Sequence, residues 1–133
     1  MSQENVEIIR AWFDAFNRGD WDAGLKLAAP DGELDWSRAV GPIHGVFRFG
    51  SDQARRFWDE LREHWESIRV EPEEFIEVGE HVVVPLTTYG RGRDGIEVRG
   101  RITVVVTIRE GKIVRQCLYQ DKREALEAVG LSE

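Results

Sequence analysis

From Val82 to Gln120 the chain consists of apolar, β-branched runs separated by tight turn signals, a pattern that commits it to hairpins. Residues 82–91, 96–109 and 112–120 read as strands. Gly90-Arg91-Gly92-Arg93-Asp94-Gly95 and Glu110-Gly111 carry the turn chemistry between them. Strands joined so closely pair antiparallel. Pro85 lacks the N–H that a ladder uses, so it predicts an edge or a bulge. Upstream, Ile68, Val70, Ile76 and Val78 keep one parity across Glu71-Pro72-Glu73, which predicts one bent strand or two short ones.

Such a sheet needs a cover on one face. Val6, Ile9, Phe13 and Phe16, widened by Ile8 and Trp12, form an apolar stripe at helical spacing. Ser2 is its expected cap and Gly19 its stop. Asp20 is placed to cap a second helix that runs to about Ala29 and ends at Pro30. Residues 32–36 read as a short strand with Leu34 and Trp36 on one side. Residues 37–50, holding Gly41, Pro42, Gly45 and Gly50, read as an irregular loop of a length often tied to function. Ser51 or Asp52 then opens a helix with Ala54, Phe57, Trp58, Leu61 and Trp65 on one stripe. A last short helix spans 125–129, with Gly130 as its stop. No repeat or linker interrupts the 133 residues. Residues 1–133 are expected to form one α+β domain, a curved antiparallel sheet wrapped over the N-terminal helices.

Parity divides the long strands. Ile102, Val104, Val106 and Ile108 share one face with Val114, Gln116, Leu118 and Gln120, and this face is assigned to the helices and a pocket. The other face carries Arg101, Thr103, Val105, Thr107 and Arg109, with Ile113, Arg115, Cys117, Tyr119 and Asp121. It is too apolar for open water and too polar for a core, which predicts a homodimer contact. Trp12, Trp36 and Trp58 come from three elements that should converge. With Phe16, Phe57, Leu86, Thr88, Val104, Gln116 and Leu118 they are the expected pocket lining. A wall of indoles suits a flat hydrophobic metabolite, although ordinary core packing accounts for the same rings. Arg38 is placed at the mouth, either to meet an anionic group or as a plain surface charge. Asp35, beside Trp36, is a candidate base that an apolar wall would hold partly neutral. His44, in the loop, is a candidate proton shuttle. Both also read as solvated surface groups.

The net charge of −7 repels phosphate backbones and anionic lipid, so neither nucleic acid nor a membrane is an expected partner. Cys117 is the lone cysteine, which rules out an internal disulfide. No run approaches the ~20 apolar residues of a membrane span. Glu4 and Glu7 break any leader-like stretch, and a cytoplasmic protein is expected. His44, His64 and His81 show no ligand spacing, and no helix follows the glycines of 90–95 to cradle a phosphate. No metal and no cofactor are therefore expected.

The segment from Ala11 to Ala23, AWFDAFNRGDWDA, with Asp35-Trp36-Ser37-Arg38, resembles the opening of nuclear transport factor 2-like domains. Gly111-Lys112-Ile113-Val114-Arg115, with the stretch from Tyr119 to Leu131, is similar to their SnoaL-like branch. The resemblance implies a cone-shaped α+β barrel. It also implies a small-molecule site, with cofactor-free acid–base chemistry of the cyclase, dehydratase, isomerase or hydrolase type, or a non-catalytic dimeric module. Ketosteroid isomerase, a member of that superfamily, uses a carboxylate base, a tyrosine and a protonated aspartate. Those slots align with Trp36, Trp12 and the neighbourhood of Val104, none of which has the chemistry. The catalytic aspartate of SnoaL-like cyclases corresponds to Asp121. Asp121 equally reads as the cap of the last helix, with Glu124 completing a capping box.

Overall fold

The computed structural model describes residues 3–40 and 43–131. The expected Ser2 cap, and Gly41 and Pro42 of the loop, lie outside the described residues. Helix α1 (Gln3–Arg18) turns its Ile9, Trp12, Phe13 and Phe16 stripe inward. Gly19, at φ +73°, ends it, and the Asp20 carboxylate then accepts from the Ala23 amide at 3.0 Å to start α2 (Trp21–Leu25). Strand β1 (Ala28–Asp35) follows directly, so the second helix is shorter than expected. Pro30 ends no helix. It lies between the paired residues Ala28 and Glu33, where β1 slips its register, and a missing N–H costs nothing there. The 37–50 segment contains strand β2 (Val46–Arg48), paired antiparallel to β1.

Helix α3 (Asp52–His64) is capped by the Ser51 hydroxyl, which accepts from the Ala54 amide at 3.1 Å. Trp65 does not extend its stripe but opens β3 (Trp65–Pro72). The interruption at Glu71-Pro72-Glu73 gives two strands, β3 and β4 (Ile76–Val78), both antiparallel to β5 (His81–Gly92). Pro85 falls in β5 opposite the gap between them, where no strand asks for its N–H. β6 (Glu97–Arg109), β7 (Lys112–Tyr119) and helix α4 (Lys122–Ala128) complete the chain. The turn from β6 to β7 puts Glu110 and Gly111 at φ +51° and +76°, the left-handed pair that a two-residue hairpin demands.

The sheet runs β2-β1-β7-β6-β5-β3, with β4 also on β5. It is mixed and curved rather than wholly antiparallel, because β1 lies parallel to β7, and its end strands do not meet to close a barrel. At the β3 edge the Asn17 carboxamide donates to the Val70 carbonyl at 2.9 Å and accepts from the Val70 amide at 2.8 Å.

The main core joins α1, α2 and α3 to Leu34, Val82, Val84, Leu86, Val104 and Val106. Ile113, expected on the outer face, belongs to this core. The register between β6 and β7 shifts between Thr107 and Ile108, so Val114 is an extra residue and Ile113 turns inward. A second cluster occupies the other face, where Ala125 and Leu126 of α4 cover Val83, Val105, Cys117 and Tyr119. The half-apolar composition read above as a dimer contact is thus accounted for within one chain. Among the described residues no helix is long and apolar enough to cross a membrane.

Candidate functional site

Two adjoining spaces lie between the helices and the sheet. The inner cavity, about 30 Å³, is bordered by Trp12, Phe13, Phe16, Leu34, Trp36, Phe57, Trp58, Val70, Leu86, Ile102, Val104 and Gln116. It has room for one water-sized group. The rings themselves fill the rest of the space. Phe16 stands edge-on to Trp58 at 5.1 Å between centroids, Trp12 to Phe49 at 5.5 Å, and Trp36 to Phe57 at 5.1 Å. Such contacts add to the value of burying each ring. The wide indole-lined hollow expected from the sequence is therefore mostly packed solid.

Trp36 and Ile102 also border an outer cavity of about 370 Å³, which gathers pieces of five elements and a loop. Ala39, Val40 and Ile43 come from the loop after β1, and Leu61 and His64 from the end of α3. Trp65, Ile68, Thr88, Val98, Leu118 and Gln120 complete the wall. Val40 and Val98 are 85% and 50% exposed, so the rim is apolar as well.

Within this apolar frame two polar atoms stand out. Gln116 is 3% exposed, and its Oε1 has no hydrogen-bond partner among the described residues. The buried Nε1 of Trp36 likewise has none. A buried polar group left unpaired costs about 1–3 kcal/mol and calls for an explanation.

The expected lining residues divide between the two spaces. Trp12, Phe16, Trp36, Phe57, Trp58, Leu86, Val104 and Gln116 border the inner one, and Thr88 and Leu118 the outer. The three positions aligned with the isomerase machinery, Trp12, Trp36 and Val104, all face the inner cavity with apolar side chains. The expected acids and bases are elsewhere. Asp35 alternates with Leu34 and Trp36 along the chain, so its carboxylate emerges on the other face of the sheet. There it accepts from the Ser37 amide at 3.0 Å and the Ser37 hydroxyl at 2.7 Å, with Arg115 at 3.5 Å and Arg38 at 3.7 Å. Burial disfavours its charge, but the Ser37 bonds and the two guanidiniums outweigh burial and hold the pKa below the usual value. It is not kept partly neutral, as a wall of apolar groups would have done. Arg38 lies over the Tyr119 ring at 4.7 Å on that same outer side, not at the mouth. Burial pushes the neighbouring Cys117 thiol up, so it is no ready nucleophile.

Asp121 caps α4, accepting from the Glu124 amide at 2.8 Å, and borders neither cavity. His44 is exposed and also borders neither. His64 is the titratable side chain among the described lining residues, and the sequence weighed it only as a metal ligand, because one histidine on a polar helix end leaves no other pattern. Among the described residues no group of three or more His, Cys, Asp or Glu is placed to hold a metal ion.

Residues 9–116 match the SnoaL-like domain family. The chain belongs to that family. Several solved structures are similar to this SnoaL-like chain. TerC, co-crystallised with polyporic acid, is 24% identical, with 97% of this chain and 100% of that one covered and a TM-score of 0.79. A nuclear transport factor 2-like protein of unknown function from Burkholderia pseudomallei is 26% identical, with 98% and 100% covered and a TM-score of 0.79. A ketosteroid isomerase-like fold from Catenulispora acidiphila, in complex with trimethylamine, is 20% identical, with 94% and 93% covered and a TM-score of 0.75. These likenesses establish the fold. A search of curated proteins finds no match.

Proposed function

We propose that this SnoaL-like chain binds a hydrophobic ring compound, with the ring in the outer cavity against Trp36 and Trp65. The observation that carries the reading is the outer cavity itself. Its volume of about 370 Å³ suits a small ring system, and its lining is apolar apart from His64, Thr88 and Gln120. The small molecules held by TerC and by the Catenulispora protein lend support.

Acid–base turnover without a cofactor would rest on His64, the titratable side chain among the described lining residues. A second reading, a non-catalytic dimeric module, is favoured by the rings that nearly fill the inner space. Titration with a panel of aromatic compounds, followed by tryptophan emission, separates the two. Saturable quenching that is weakened in Trp36→Leu is the expected result. Emission unmoved by the whole panel would leave only the second reading. Turnover of a bound compound that disappears in His64→Gln, with its affinity kept, would make the chain an enzyme.

A further inference from the structure

We infer that the guest of this site is an alcohol or a phenol, whose hydroxyl passes Trp36 and Ile102 into the inner cavity and is selected there by Gln116. The inference rests on the reading of the outer cavity as a ring-binding site. Three observations lead to it. The inner space, about 30 Å³, admits one water-sized group and no ring. Among the described residues its border holds an acceptor without a donor, Gln116 Oε1, and the Trp36 indole carries a donor without an acceptor, Nε1. Trp36 and Ile102 border both spaces, so the two spaces adjoin at these side chains.

The chemistry of the two atoms decides the substituent. A hydroxyl donates once and accepts twice, so one oxygen within reach of both atoms can satisfy both. A carbonyl oxygen accepts from Trp36 but has no proton to give Gln116 Oε1. An ammonium donates to Gln116 but leaves Trp36 unpaired, and it brings a charge into an apolar space. A methyl group or a halogen leaves both without partners. A site built to bond a hydroxyl rejects the analogue without one far more strongly than an apolar pocket rejects a change of size. In the free protein a water can take the same place, and the ligand hydroxyl then reproduces the bonds of the water it displaces.

Calorimetric titration with 2-naphthol and 2-methylnaphthalene, which match in shape, tests the inference. The chain is expected to bind 2-naphthol at least about tenfold more tightly. Gln116→Met is expected to bring the two affinities to within about twofold, because 2-methylnaphthalene then leaves no buried carboxamide unpaired. Should Gln116→Met fail to fold, Trp36→Phe removes the other partner and is expected to narrow the same gap. Equal affinities in the unaltered chain would overturn the inference and leave the ring-binding reading intact. So would a preference for 2-naphthol that survives in the folded variants, since the polar pair would then hold a resident water only. If neither compound binds, the ring-binding reading falls, and the inference with it.

Discussion

At Asp35 burial and hydrogen bonding pull in opposite directions, and the hydrogen bonds prevail. The folded pKa lies below the unfolded one. The stability this carboxylate contributes is therefore complete above the unfolded value, ~3.9, and is lost as pH falls through the folded value. Asp35→Asn is expected to lower unfolding free energy by about 1–2 kcal/mol at neutral pH, and the deficit should vanish in strong acid. Urea denaturation at the two pH values checks this. The same residue shows what a sequence reading lacks. Its neighbour Trp36 borders both cavities, but alternation turns adjacent side chains to opposite faces, so proximity in the chain became separation in space. Gln116 was legible because its parity on β7 matched Leu118 and a strictly apolar stripe on β6. The unpaired state of its oxygen was not, since that depends on every group around it.

Elements set by local chemistry were legible, and those set by distant partners were not. The two hairpins and the three longer helices follow from turn residues, caps and periodicity. The start of β1 did not, because Ala28 enters the sheet by pairing with Ile113, 85 residues away, and this contact overrides the helix signal ahead of Pro30. Asp121 tests a local element directly. As the N-cap of α4 it should cost about 1 kcal/mol when changed to Ala, with affinity for any ring compound unaltered. Thermal melts and ligand titration of the same variant measure both. Lost affinity at full stability would return Asp121 to the site.

On the scale of the whole molecule the sheet is covered twice, by three helices on one face and by α4 on the other. The outer cover is thin, a helix of seven residues with two buried side chains. Ending the chain after Tyr119 should uncover Val83, Val105 and Cys117. The shortened protein is expected to self-associate at micromolar concentration, and Cys117 should become reactive to a thiol reagent. Light scattering and thiol titration against the full chain read the two effects. The rims of the sheet are guarded in a different manner. One ends in a strand of three residues, too short to template a neighbour. On the other, Asn17 imitates a passing strand at Val70 and takes both backbone groups that an incoming chain would seek. At Val70 that single carboxamide leaves an incoming strand no backbone group to bond.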